Sequence, residues 1–473
     1  MRNKKIVKIE RFDNFTNDET IKTKTFYNYL PTNKLNTTHG VKIATFPKSL
    51  TNRTENELNI ADAGITRIDG IGYFKQFFDS NHYTSHRLIV YGDDKKVYIN
   101  QMLDDSYDLF WLYNLEFNSP PVVLPFKKEG LDSIIMVSDD QMKVWTTGFS
   151  PYTISDAPIV TSMCINESVL FCTIANPGYK IWYATNLSMD KIGRVSTGSG
   201  YITLEDNLGD AKKVIAFNEG VYAFREYGIS RINHIKGENL VSQVYVSNTK
   251  IYTNTVCVCG NNIFFMTKDG LYSFNGVKVT KTKVSLLNDM PIENEGAISA
   301  AMGEKYYLAL KLDFNDGKEI ICEPDSVNNV LIVIDTTDFS YEIVRGVDIK
   351  TMLPVKLDEF EKMLVLFNTG MVDKIGEIVS TPKHVDEILP KFWSSENLVD
   401  TMNMKLFTKM IVDSDLGVKF KLKYDNKEIQ FTTFKKGINE FLFKIMCKNI
   451  SLEISSENED GVVNKVELEY YEY

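Results

Sequence analysis

The sequence predicts an all-β chain built around a β-propeller of about six to seven blades, and three observations carry that expectation. Short apolar runs, each followed by a polar turn and a second alternating run, recur every 40–50 residues between about 67 and 380, the spacing of propeller blades. The 24 Tyr and 28 Phe favour strands, where flat side chains pack on a pleated surface. Helix patterns are sparse. The expected organisation is an extended N-terminal arm over 1–66, the propeller over 67–380 and a small β-sandwich-like domain over 381–473.

The recurring unit is clearest at its turns. Tyr91-Gly-Asp-Asp-Lys-Lys-Val-Tyr-Ile99, Val137-Ser-Asp-Asp-Gln-Met-Lys-Val-Trp145, Phe224-Arg-Glu-Tyr-Gly-Ile-Ser-Arg-Ile232, Met266-Thr-Lys-Asp-Gly-Leu-Tyr-Ser-Phe274 and Phe367-Asn-Thr-Gly-Met-Val-Asp-Lys-Ile375 each follow an apolar run. Gly228 and Gly270 are 42 apart, and Asp94 and Asp140 are 46 apart. Gly, or Asp and Asn in its place, sits where a tight turn needs a positive φ. Fainter units use Ser168–Thr173 with Lys180–Ala184, and Tyr306–Leu310 with Val330–Asp335. Ala297–Leu310 has a helical composition, yet it contains Gly303 and runs into the alternating Lys305–Leu310.

Residues 1–66 are polar and Asn/Thr-rich, with only short apolar patches, and read as an arm with a few short strands. Around 380–400 the pattern breaks at Pro382, Pro390 and a lone Trp393. Six strands then follow at sandwich density, at Lys409–Val412, Val418–Tyr424, Ile429–Phe434, Glu440–Ile445, Ser451–Ser455 and Val463–Tyr471. Val418-Lys-Phe-Lys-Leu-Lys-Tyr424 alternates apolar and lysine, so one face belongs in a core and the other in water.

Composition excludes several functions. A net charge of −10 lacks the basic face that nucleic-acid wrapping needs, although an acidic wall past which DNA slides stays open. The apolar stretches are strand-sized, so no membrane span is expected, and the N-terminus has no apolar signal-peptide core. Cys164, Cys172, Cys257, Cys259, Cys322 and Cys447 are dispersed and read as small buried hydrophobes in a reducing compartment.

No catalytic, cofactor or metal site is expected. His82 and His86 have a metal-compatible spacing only on a helix, and they fall in a polar loop; His39, His234 and His384 are isolated. Asp413-Ser-Asp-Leu-Gly417 starts like a calcium loop, but its twelfth position is Tyr424, within a strand. It and Glu457-Asn-Glu-Asp-Gly461 read as hairpin turns. Ser138–Trp145 partly matches the Asp-box of sialidases, a turn motif, with Met142 and Val144 off-pattern. Arg67, Arg87, Arg194, Arg225, Arg231 and Arg345 form no trio suited to gripping a carboxylate. No nucleophile elbow, phosphate loop or dinucleotide fingerprint is present. Glycan binding without chemistry remains the rival reading, with Trp111, Trp145 and Trp182 as the side chains to inspect.

Several segments carry a resemblance. Ile202-Thr-Leu-Glu-Asp-Asn-Leu-Gly-Asp-Ala211, Val214–Phe217, Gly220–Phe224, Arg225–Ile232, Ile263–Met266, Asp269-Gly-Leu-Tyr-Ser-Phe-Asn-Gly276 and Phe392-Trp-Ser-Ser-Glu396 resemble the propeller proteins of bacteriophage tails. These include the packaged-DNA stabilisation proteins (tail hubs) and nozzles of short-tailed phages. The resemblance implies a structural virion protein, assembled in the bacterial cytoplasm, that forms a homo-oligomeric ring around the DNA channel. Its implied partners are portal, adaptor or other tail proteins, with packaged DNA met only in passage.

Overall fold

The structure, a computed structural model, describes residues 4–12, 23–47, 55–57, 64–78, 83–100, 109–128, 130–139, 141–146, 149–154, 157–185, 199–204, 206–235, 238–288, 293–314, 326–356, 361–368, 373–381, 383–385, 387–399 and 403–473. Among them every regular element is a strand except the 3-10 turn Ser285–Leu287. The fold is all-β, built of several antiparallel sheets of mostly four or five strands. Two compact units divide the chain: Ile43–Lys311 with Ile349–Glu377, and Met1–Lys42 with Leu312–Asp348 and Ile378–Tyr473.

The first of these contains five successive four-stranded meanders. They are Ile68–Phe78, Tyr83–Gly92, Lys96–Asn100, Leu109–Glu116; then Val122–Lys128, Leu131–Ser138, Gln141–Thr146, Tyr152–Thr153; then Val160–Asn166, Val169–Ile174, Lys180–Thr185, Ser199–Thr203. The fourth is Ala211–Phe217, Gly220–Arg225, Gly228–Ile235, Glu238–Val246, and the fifth Ile251–Cys259, Asn262–Thr267, Gly270–Phe274, Val279–Lys281. A hairpin, Ile298–Met302 with Lys305–Leu310, and the strands Asp348–Lys356, Glu361–Asn368 and Asp373–Val379 follow.

The apolar runs of the sequence are the second strands of these sheets, and the polar turns lead to the third. Val169–Ile174 and Gly220–Arg225 are buried at every position. Alternate side chains of a strand point to opposite faces, and here each face enters a different core. Leu88 and Val90 of the first meander pack with Val355, Leu364, Leu366 and Ile375 of the last sheet, whereas Ile89 and Tyr91 pack with Ile134 and Met136 of the second meander. Ile135 and Val137 join Leu170 and Cys172; Val169 and Phe171 join Val221 and Ala223; Tyr222 and Phe224 join Ile263 and Phe265. Phe264, on the other face of the fifth meander, packs its ring 5.5 Å from Tyr306 of the next hairpin.

Two glycines answer local demands. Gly303, at φ +58°, turns the Ile298–Leu310 segment back on itself, so the helix-like composition there folds as a hairpin. A Cβ at Gly228 would lie 2.5 Å from the Tyr245 carbonyl and 2.7 Å from Leu208 Cδ1, which explains why that turn ends on glycine.

The second unit ties the N-terminal segments to the C-terminal ones. Lys4–Ile9 pairs antiparallel with Val463–Glu472, whose other neighbours are Leu35–Thr37 and Lys405–Ser414, and Gly437–Cys447 completes that sheet's edge. The other sheet orders Thr23–Tyr27, Lys391–Ser395, Ser451–Ser456, Lys419–Tyr424 and Lys427–Thr432. Trp393 is buried. Its indole N–H lies 3.3 Å from the Phe12 carbonyl and 3.2 Å from Thr23 Oγ1, with the Phe12 ring edge-on at 5.2 Å. The expected lysine face pairs with acids: Lys419 with Glu457, Lys421 with Glu428 and Lys423 with Glu453, while Phe420 and Leu422 are buried beneath.

Lys391 is also buried, donating to the Asn458 and Glu459 carbonyls. Burial lowers its pKa to about 8, against the opposing pull of Asp460, Glu459 and Asp415. The unfolded chain, with an ordinary lysine near 10.5, holds more protons between those values, so this group adds stability as pH rises through that window. Urea unfolding at pH 8 and pH 10 should show wild type gaining about 2 kcal/mol more than Lys391→Met over that step; parallel profiles would contradict the assignment. Phe224→Ala, which empties a core shared by two sheets, should cost about 3–5 kcal/mol. Leu240→Ala on an exposed strand should stay within about 0.5 kcal/mol, as measured by the same titrations.

Candidate interaction surfaces

The first strands of the fourth and fifth meanders and the following hairpin bring Lys213, Cys257 and Ser299 together. Burial lowers the Lys213 pKa, and the Cys257 thiol nearby raises it. Burial pushes the Cys257 thiol up to about 12, offset in part by a hydrogen bond with Ser299 and by the Lys213 charge. The Thr255 carbonyl accepts from Ser299 Oγ and Tyr306 Oη, both at 2.7 Å. Thr255 Oγ1 donates to the Tyr252 carbonyl at 2.6 Å and accepts from Met266 N at 2.9 Å, replacing ladder bonds where the register shifts between Tyr252 and Cys257. These hydroxyls are engaged with the backbone, and a thiol held protonated at neutral pH is a poor nucleophile. The cluster acts as a lock between neighbouring sheets.

Other positions singled out in the sequence take structural parts. Arg225, fully buried, donates to the Gly209 carbonyl from Nε and Nη2 and pairs with Asp206, fastening the loop before the fourth meander. Arg67 pairs with Asp69 at 2.6 Å. Asp415 accepts from Val462 N at 2.9 Å and pairs with Lys436 at 2.9 Å, while Gly417 turns at φ +77°, as a hairpin turn requires. Ser138 Oγ donates to the Ser119 carbonyl at 2.8 Å, again turn chemistry, and Asp140 lies outside the described residues. His39 contacts the buried Glu342 carboxylate through Nδ1 and its backbone N–H. His82, Arg194 and Cys322 lie outside the described residues. His86 falls on the strand Tyr83–Gly92 rather than in a loop, and His234 and His384 also fall on strands. Among the described residues no group of three or more His, Cys, Asp or Glu could hold a metal ion, and no helix is long and apolar enough to cross a membrane.

The surface is more informative. Glu238–Val246, the outermost strand of the fourth meander, has nine residues, against eight, two, five and three for its counterparts in the first, second, third and fifth. It exposes Leu240, Val241 and Val246, and no residue after Glu238 is charged or proline. Such an edge lacks the usual guards against pairing with another strand. Sequence reasoning passed it over, although the uncharged run Leu240–Val246 was visible. Of the inspected tryptophans, Trp182 is buried, Trp145 packs edge-on against Phe74 at 5.8 Å, and Trp111 is 40% exposed with Lys96 Nζ 4.8 Å from its ring. Tyr179 and Tyr201, both exposed, flank Lys180 Nζ at 5.8 Å each.

No family model and no curated protein matches the chain. Among solved structures it is similar to BBS1N in complex with ARL6DN, at TM-score 0.45 and 11% identity over 67% of this chain and 93% of that one. It is also similar to the N-terminal domain of Nup159 (TM-score 0.41, 8% identity, 72% and 95% covered) and to Kluyveromyces lactis Hsv2 (TM-score 0.36, 11% identity, 66% and 93% covered). At these scores nothing about function passes from them to this chain.

Besides Cys257, burial raises Cys164 to about 12 and Cys447 to about 11, and lifts Cys172 well above its usual range. At pKa 12 only about one thiol in ten thousand is ionised at pH 8. A folded Cys322→Ser variant should therefore leave all five remaining cysteines unreactive to a thiol dye at pH 8 for minutes, and expose all five in urea. Rapid labelling of the native fold would show a reactive thiol.

Proposed function

We propose that the meanders form a β-propeller of six to seven blades, seven when the Ile298–Leu310 hairpin and the Asp348–Val379 strands each head a blade. The chain then serves as a non-catalytic structural protein of a phage tail or connector region. It oligomerises around the DNA channel, joins the connector to the distal tail and helps retain or conduct the packaged genome. The observation that carries this reading is the long, exposed outer strand Glu238–Val246, uncharged after its first residue, a template on which a neighbouring subunit or tail protein adds a strand. The resemblance of segments between about 200 and 280 to tail propeller proteins supports the same assignment. The charge of −10 suits a conduit that passes DNA without gripping phosphates.

A second reading, glycan or receptor binding without catalysis, rests on Trp111 beside Lys96 and on the exposed Tyr179 and Tyr201 around Lys180. Aromatic faces with adjacent cations suit sugar rings bearing acids.

Light scattering of the protein alone and mixed with connector rings separates the two. The tail reading predicts an oligomer, or fixed-stoichiometry joining to a connector, weakened at least about tenfold by Leu240→Lys with Val246→Lys. A protein that ignores connectors and binds acidic glycans through Trp111 would overturn it in favour of the second.

A further inference from the structure

The edge strand Gly437–Cys447 carries a second exposed surface, on the other unit, in which apolar residues alternate with one acid and one base. It pairs along one side with Lys405–Ser414 and ends its sheet, with no strand among the described residues on its other side. Burial alternates without interruption along its eleven residues. The register slip at Phe407–Lys409 appears against both neighbours of the middle strand, so the alternation of the edge strand itself is regular. Its outward row is Ile438, Glu440, Leu442, Lys444 and Met446. Ile438, Leu442 and Met446 are 59%, 79% and 50% exposed, and Phe434 in the preceding turn is 67% exposed. The inward Phe441 and Phe443 rings pack on Phe431 at 5.0 and 5.3 Å, which makes the edge a stiff, apolar rail.

The order of these residues selects the occupant. Read outward from Leu442, the row is symmetric in size and opposite in charge: Glu440 against Lys444, then Ile438 against Met446. We infer that this strand pairs antiparallel with the same strand of a second copy of this chain, about a two-fold axis at Leu442. Leu442 then meets Leu442 of the partner subunit, Glu440 faces Lys444 of the partner subunit twice over, and Ile438 faces Met446 of the partner subunit twice over. Cross-strand apolar and opposite-charge pairs of this kind stabilise antiparallel ladders, and a two-fold interface needs one self-complementary patch. Glu440 already pairs with Lys409 at 2.7 Å, so in the dimer its carboxylate sits between two lysines. By contrast, the edge strand of the facing sheet, Lys427–Thr432, begins with Lys427 and Glu428 and has no such symmetry. A foreign strand would have no reason to match the Glu440/Lys444 pair.

The test is charge exchange followed by light scattering on the full chain. With assembly through the fourth meander removed by Leu240→Lys and Val246→Lys, the chain should have twice its own mass, and wild type at least that. Glu440→Lys and Lys444→Glu each set like charges across the axis twice and should raise the dissociation constant about tenfold or more. Mixing those two variants should restore a one-to-one dimer, because each lysine then faces a glutamate. Leu442→Arg should be monomeric, with circular dichroism confirming its fold; if it misfolds, the mixing experiment decides alone. A wild-type monomer, or a dimer that survives both charge variants unmixed, would overturn the inference. Leu240→Lys with Val246→Lys should leave this dimer intact, which separates it from assembly through the fourth meander.

Discussion

A strand in the interior of a four-stranded sheet has two faces, and in this chain both are apolar. Leu88 and Val90 look toward one neighbouring sheet while Ile89 and Tyr91 look toward the other, and the same division repeats through Val221–Phe224 and Ile263–Met266. One such sheet leaves half of its buried side chains in water, at about 1.5–3 kcal/mol for each large residue. Each sheet is therefore stable only between two others. The short hairpins, the small residues at their ends and the buried Arg225 that fastens the loop before the fourth meander all serve that stacking.

The second unit solves a different problem, that of the chain ends. The N-terminal strands have little apolar content of their own, yet Phe12, Phe26 and Tyr27 are buried against segments almost 400 residues away. Trp393 gathers this junction by giving its one N–H to the Phe12 carbonyl and Thr23 Oγ1 while its ring fills the core. The surface pairs along Lys4–Ile9, such as Lys4 with Glu469 and Lys8 with Glu467, are exposed and add little. Backbone ladder and buried aromatics hold the end in place.

Polar groups inside the sheets are kept quiet. Ser299 and Tyr306 both donate to the Thr255 carbonyl, the Thr255 hydroxyl bonds to the Tyr252 and Met266 backbone, and the Cys257 thiol beside them stays protonated because burial disfavours the thiolate. Chemistry of that kind stiffens a scaffold. What the protein presents outward is strand edge, and the edges are unequal. Lys427–Thr432 begins with two charges, whereas Glu238–Val246 exposes an apolar row and Gly437–Cys447 exposes Ile438, Leu442 and Met446 interleaved with one glutamate and one lysine, each with open backbone beside it. Open edges with exposed apolar side chains invite strand pairing, so two of them point to partners.

Much of this was legible in the residues. The apolar runs Ile134–Val137, Val221–Phe224 and Ile263–Met266 identified the second strands, their Asp and Gly turns identified the hairpins, and the lysine alternation of Val418–Tyr424 identified a half-buried strand. These features are local, since side-chain period and turn φ depend on a few neighbouring residues. Gly437–Cys447 read as an ordinary strand at Glu440–Ile445 and Glu238–Val246 was passed over, because alternation does not say whether a second ladder covers an edge. The segment 1–66 read as an extended arm with a few short strands, without the partners of those strands: they pair with Lys391–Ser395 and Val463–Glu472, a register set by contacts far apart in the chain. By itself the sequence determined the strand-and-turn composition. Which edges stay open, and which distant segments share a sheet, was decided only when long-range burial selected among pairings that local propensity leaves equal.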